Sequence, residues 1–208
     1  MIIKALDGLE LELQTGDELL CSGTGRLSKV IIFYNRLCGV GGEAAELSHV
    51  AKYIQGYLHD GSVFEATTLN KWCNKKGYQH NLFSEWLSNY AGRVWVRQVQ
   101  GCDITDAEYC TRALGLLGTP YENGVPGILE LVFVDWALKW RVLKNWARKH
   151  LATKEIHCSE ANVHLSQMAG YYDLSIRPNK MPPHEFWPGG RYEKGFIRGH
   201  LNEPIRLK

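Results

Sequence analysis

Glu155-Ile156-His157-Cys158-Ser159-Glu160-Ala161-Asn162-Val163-His164-Leu165-Ser166-Gln167-Met168-Ala169-Gly170 carries a cysteine at the point where a helical pattern begins. Ala161, Leu165 and Met168 follow Cys158 at spacings of three, four and three, so the four side chains share one helix face. Gly170 stands where a helix stop belongs. Cys158 is thereby expected in the first turn of a helix, on its protein-facing side. Unpaired backbone N–H groups and the positive end of the helix dipole favour a thiolate there. The plainer alternative is a small apolar residue opening an amphipathic helix, because free cysteine is among the most buried residue types. Two distant stretches bear on the choice: Leu47-Ser48-His49-Val50-Ala51-Lys52-Tyr53-Ile54 and Gly61-Ser62-Val63-Phe64-Glu65-Ala66-Thr67-Thr68.

In the first of these, strand-like alternation sets His49, Ala51 and Tyr53 on one side and Val50, Lys52 and Ile54 on the other. The second, Ser62 to Thr68, reads as a strand antiparallel to it across the Gly56 to Gly61 connection. That pairing brings His49 and Glu65 onto one face. A pair of neighbouring strands is a short route to an imidazole beside a carboxylate.

Length and composition fit one ordinary globular domain: 208 residues, 45% hydrophobic and 11% aromatic. A net charge of +2, from 24 basic and 22 acidic residues, gives no case for nucleic-acid binding through bulk charge. The apolar stretch from Ile128 to Leu138 is interrupted by Glu130 and Asp135 and falls short of the ~20 residues a membrane span needs. The N-terminus lacks a signal-peptide pattern, so the expected location is cytoplasmic unless another route exports the chain. Cysteines stand at 21, 38, 73, 102, 110 and 158, without C-x-x-C and without zinc or disulfide-scaffold spacing. Reduced thiols are the default, and no cofactor or metal is expected.

Elsewhere, Leu9 to Leu13 reads as an opening strand, Thr15-Gly16-Asp17 as a turn and Glu18 to Cys21 as a short buried strand. Ser22-Gly23-Thr24-Gly25 is a loop with no following G-K-[ST], which argues against a phosphate-binding loop. A helix from Ser28 is apolar at Val30, Ile31, Tyr34 and Leu37. Residues 69 to 92 read as a loop with a short helix near Ser84 to Asn89. Val94 to Val99 is a strand, and Thr105-Asp106-Ala107-Glu108 has the form of a capping box, with Ile104 and Tyr109 placed for a hydrophobic staple. That helix is expected to reach Leu117 and stop at Gly118. From Ile128 to Leu151 a helical region combines Trp136, Trp140 and Trp146 with Lys139, Arg141, Lys144, Arg148 and Lys149. It is either a core helix with a solvated basic face or a surface for peripheral membrane contact. Residues 171 to 208, rich in Pro and Gly, are expected to wrap the surface.

The order of these features resembles the circularly permuted papain-like cysteine hydrolases of the NlpC superfamily, in which His precedes Cys in the chain. The resemblance covers about residues 15 to 170. It includes Gly16-Asp17, Ser48-His49-Val50, Glu65, Gly118-Thr119-Pro120-Tyr121, Gly127-Ile128-Leu129-Glu130-Leu131 and Cys158-Ser159-Glu160. It implies an α+β fold, a small and mostly antiparallel sheet or partial barrel packed against helices. That fold would form one domain over residues 1–208, with a C-terminal wrap from about 171. Carried over residue by residue, the resemblance makes Cys158 the nucleophile, His49 the general base and Glu65 the group that orients the imidazole. The Cys158 N–H is a natural oxyanion donor at a helix start. Tyr121 and Ser48 are the candidates for a second one.

Alternatives attach to each residue. His49 on a half-buried strand has the commoner fate of a satisfied histidine, and Glu65 that of a solvent-facing carboxylate. His157 reads as structural. A zinc site from His49, His157, Cys158 and His164 lacks ligand spacing. Three functions follow: a cysteine hydrolase cleaving an amide bond, such as one in a cell-wall peptide; a lipid-directed amidase, esterase or acyltransferase; or a non-catalytic binding module of the same fold. The implied partner is a peptide or an acyl-amide or ester substrate. Oligomeric state is not legible.

Overall fold

A computed structural model describes residues 1–56, 61–70, 75–102, 105–121, 157–178 and 181–208. The Trp-rich stretch from Ile128 to Leu151 lies outside them, as do Cys73 and Ile104.

The fold is α+β, built on an open, six-stranded antiparallel sheet. The strands in chain order are β1 (Ile2–Lys4), β2 (Glu10–Glu12), β3 (Glu18–Gly23), β4 (His49–Ile54), β5 (Ser62–Asn70), β6 (Lys75–Leu82), β7 (Gly92–Arg97), β8 (Val99–Gln100), β9 (His200–Leu201) and β10 (Ile205–Arg206). The main sheet runs β10-β7-β3-β4-β5-β6, while β1 pairs with β2 and β8 with β9. Among the described residues the helices are α1 (Arg26–Leu37), α2 (Phe83–Asn89), α3 (Asp106–Leu114), α4 (Cys158–Met168) and the short α5 (Arg191–Lys194).

Alternation along β4 divides the interior into two layers. Val50 and Ile54 join Phe64, Ala66 and Trp95 under Ala161 and Leu165 of α4. Ala51 and Tyr53 join Leu19, Val63, Val94 and Val96 under Phe83 and Trp86 of α2. A strand buried on both faces needs apolar side chains at both parities, and β4 supplies them at every position except His49 and Lys52. Lys52 is fully buried. Its ammonium ion-pairs with Glu18 and donates to the hydroxyls of Tyr171 at 3.0 Å and Tyr192 at 3.2 Å. A buried cation is tolerable only when paired and hydrogen-bonded in this way.

Four expectations change. Residues 75–82, expected in a loop, form β6. Val94 to Val99 is two strands, interrupted at Gln98. Helix α3 ends at Leu114, before a turn through Gly118, and Thr105 occupies its N-cap without a side-chain cap bond. The C-terminal segment is no surface wrap: Phe186 and Tyr192 are fully buried and stacked at 3.9 Å between ring centroids. Its last strand, β10, completes the sheet beside β7. The guanidinium of the buried Arg97 holds this segment by the carbonyls of Phe186 (2.8 Å) and Asn202 (2.9 Å) and the Glu193 carboxylate (3.0 Å). Pro and Gly in its sequence set turns between short buried pieces; they do not mark exposure.

Candidate active site

Helix α4 begins at Cys158, with His157 as its extended N-cap, and Gly170 (φ 80°) follows its end. The Glu160 carboxylate accepts the His157 backbone N–H at 3.3 Å, which fixes the first turn. The helix is buried nearly all round, with His164 its one exposed side chain. Several of its polar side chains therefore find their partners in the interior, although the side-chain oxygen of Asn162 accepts no hydrogen bond there. Asn162 donates to the Cys158 carbonyl at 2.7 Å, and Ser166 lies 2.6 Å from the Tyr192 hydroxyl.

Strand β4 starts at His49, and β5 lies antiparallel to it. Lys52 opposes Phe64, so one further step along the register sets Glu65 across from Ala51 and diagonal to His49. The His49 Nε2 and a Glu65 carboxylate oxygen are 2.8 Å apart, with the side chains 14% and 4% exposed. With Nε2 committed to Glu65, Nδ1 is the nitrogen left for the Cys158 sulfur, which is hydrogen-bonded to the same ring. The structure thus brings Cys158, His49 and Glu65 into one hydrogen-bonded chain, although Cys158 follows His49 by 109 positions.

The electrostatics follow from this contact. Burial disfavours the charged imidazole. The Cys158 thiolate and then the Glu65 carboxylate outweigh it and push His49 up to about 10. Burial likewise opposes the thiolate. The His49 imidazolium and the backbone N–H groups of Val50 and Ser159 overcome it and hold Cys158 below the usual thiol range. Glu65 is lowered against its own burial by His49, then by the Trp86 indole and Gln79. Both shifts favour a thiolate–imidazolium pair over a neutral thiol and imidazole.

Sequence reasoning missed the cradle under Glu65. Gln79 Nε2 donates to its second oxygen at 3.1 Å and Asn81 Nδ2 at 3.4 Å. Both lie on β6, where Gln79 is registered opposite Glu65 and Asn81 opposite Val63. Alternation of Gln79 and Asn81 was the available signal, hidden by the polar, glycine-bearing sequence around them. Trp86, from α2, adds a third donor.

The two oxyanion candidates are placed differently. Tyr121 is buried with its ring edge-on to His157, the residue before Cys158, centroids 5.9 Å apart. Ser48 accepts the Gly23 N–H at 3.0 Å, tying β4 to the end of β3. The Cys158 N–H lies among the first-turn donors that lack an intrahelical acceptor.

Among the described residues, no group of three or more His, Cys, Asp or Glu side chains is placed to hold a metal ion. Nor, among the described residues, is any helix long and apolar enough to cross a membrane. No family model matches the chain, and neither does any curated protein. Among solved structures, the chain is similar in fold, at 18% identity, to the metalloprotein yiiX from Escherichia coli O157:H7, with a TM-score of 0.50 over 80% of this chain and 69% of that one.

Proposed function

We propose that the chain is a cysteine hydrolase of the permuted papain-like type, cleaving an amide or ester bond with Cys158 as nucleophile. The observation that carries this reading is the His49 ring, held between the Cys158 sulfur and the Glu65 carboxylate, the latter at 2.8 Å. A merely structural histidine has no need of a thiolate on one edge and a carboxylate on the other.

The chemistry follows from the charge state. The Cys158 thiolate attacks the substrate carbonyl carbon, and the oxyanion that forms takes the Cys158 N–H. His49 gives its proton to the leaving nitrogen or oxygen as that bond breaks, leaving a thioester on Cys158. Water then attacks the thioester, His49 takes up its proton, and the released acid leaves the thiolate–imidazolium pair as it began. Glu65 keeps the imidazole oriented and stabilises its charged form throughout.

The test is labelling with iodoacetamide at pH 6, followed by mass mapping. Cys158 is expected to be modified first, and Cys158→Ala to abolish turnover of amide and ester substrates. Faster labelling of Cys21, Cys38, Cys73, Cys102 or Cys110 would remove the nucleophile assignment.

A further inference from the structure

At the triad end of the sheet, a groove of about 580 Å³ lies between α1 and the adjoining ends of β3 and β7. It starts close to the triad. Cys21 is registered opposite His49, the next two residues of β3 line the groove, and Gly23 donates to the hydroxyl of Ser48, the neighbour of His49.

The charge of the groove is one-sided. Lys29, Arg36 and Arg93 line it, against the single carboxylate of Glu46, which both arginines share. Helix α1 contains no acidic residue. Arg93 is also held over the Trp95 ring, 5.2 Å from its centroid, which limits the directions its guanidinium can take. Ile32 and Phe33 form the apolar wall, and Phe33 remains 63% exposed on a stripe with Val30 and Leu37. The helical spacing of Val30, Ile31, Tyr34 and Leu37 suits a buried face, yet α1 buries Ile31 and Asn35 and leaves Val30 and Leu37 outside. Asn35 takes the inward position because it donates to the carbonyls of Ala45 and Leu47 and faces His184, 2.9 Å away.

We infer that this groove binds an acidic group, a carboxylate or a phosphate monoester, that adjoins an apolar segment, and that the substrate of the triad carries such a group. The binding claim stands on the groove alone; the substrate claim rests on the hydrolase reading. Two guanidinium groups and an ammonium around one carboxylate leave positive charge for an oxyanion, and guanidinium pairs with carboxylate or phosphate in two parallel hydrogen bonds. Phe33 and Ile32 would cover the carbon chain next to it. The same groove repels a cation of equal shape.

Calorimetry on Cys158→Ala, which turns nothing over, uses three probes: hexyl phosphate, inorganic phosphate and hexyltrimethylammonium. Hexyl phosphate is expected to bind about tenfold more tightly than inorganic phosphate, and hexyltrimethylammonium not at all. Adding Lys29→Gln with Arg93→Gln should weaken hexyl phosphate by about tenfold or more. Phe33→Ser should weaken hexyl phosphate and leave inorganic phosphate unchanged. Lys29→Glu, at an exposed position, serves where loss of the Arg93–Trp95 contact unfolds the double variant. Equal affinity for hexyl phosphate and hexyltrimethylammonium, or hexyl phosphate binding unmoved by Lys29→Glu, would overturn the site. On the otherwise unmodified protein, the p-nitrophenyl monoester of adipic acid should be cleaved faster than p-nitrophenyl hexanoate, and Lys29→Glu should erase that preference. No preference would overturn the substrate claim. Hydrolysis of neither ester would count against the hydrolase reading while the calorimetry decides the groove.

Discussion

At the scale of single residues, Glu65 is the informative one. Its carboxylate is surrounded by donors: His49, Gln79, Asn81 and the Trp86 indole. An amide in its place has one acceptor oxygen, and its NH2 must face donors. Glu65→Gln is therefore expected to cost roughly 1–3 kcal/mol of stability, the penalty for leaving buried polar groups unsatisfied. It should also lower the His49 pKa by removing a carboxylate that raises it. A chemical-denaturation curve and an NMR titration of the His49 ring check both outcomes. The same titration in Cys158→Ala tests the ion pair from the other side. Burial pulls His49 down, and the thiolate is the strongest influence holding it up to about 10. Without the sulfur, the imidazole should lose its proton at a distinctly lower pH. A His49 value still near 10 in Cys158→Ala would mean the thiolate is not what charges it.

At the scale of elements, β6 carries the lesson. Lys75-Lys76-Gly77-Tyr78-Gln79-His80-Asn81-Leu82 has neither the β-branched content nor the apolar alternation by which strands are recognised. It forms a strand because β5 offers it a ladder from Ser62 to Thr67, and because the turn at Gly118 and Thr119 closes on its other side. Tyr78 donates to the Thr119 carbonyl at 2.8 Å, and its own carbonyl accepts the Gly118 N–H at 3.1 Å. Gly77 permits this approach, with φ 86° and no Cβ to meet the Thr119 oxygen, which would lie 2.7 Å away. Gly77→Ala is expected to lower stability by about 1–3 kcal/mol, through strain at positive φ and the close contact. Gly41→Ala, with open space and ordinary φ, should change it by less than about 0.5 kcal/mol. Urea midpoints of the two variants compare them directly. An unchanged Gly77→Ala would mean that the 118–119 turn does not press on β6.

At the scale of the whole molecule, a buried polar seam joins the first strand of the sheet to the last segment of the chain. Glu18, Lys52, Tyr171, Tyr192 and Ser166 are linked by hydrogen bonds among β3, β4, α4 and α5. Beside it, Asp17 is fully buried and accepts the backbone N–H groups of Gln14 (2.9 Å) and Val99 (3.0 Å). Burial raises this carboxyl from 3.8 to about 7, against the lowering effect of those two bonds. The sign of the pH effect follows from which state holds the proton. Between 3.8 and about 7 the folded protein keeps the Asp17 proton and the unfolded chain has lost it, so stability from this group falls as pH rises through that window. Asp17→Asn, which cannot ionise but retains an acceptor oxygen, should flatten that part of the profile. Denaturation midpoints measured at several pH values from 4 to 8, in both proteins, give the comparison. Parallel profiles would show that Asp17 ionises in the folded state as readily as in the unfolded one.

Local pattern was enough to determine the helix start at Cys158, the β4 alternation that puts His49 and Lys52 on opposite parities, and the antiparallel β4–β5 pair that carries Glu65 beside His49. Each of these depends on neighbours within a few residues, or on the register of two strands joined by a short connection, and such relations are written in sequence spacing. Tertiary structure alone decided that Cys158 meets the His49 ring, that Gln79, Asn81 and Trp86 hold Glu65, and that Asn35 displaces Val30 and Leu37 from the interior. It also decided that a Pro- and Gly-rich tail buries Phe186 and Tyr192 and ends as a strand of the sheet. In all of these, a polar or turn-forming residue is kept inside by a partner distant in the chain. The free energy of such a contact depends on which groups the fold leaves unsatisfied, and local propensity contains no term for that.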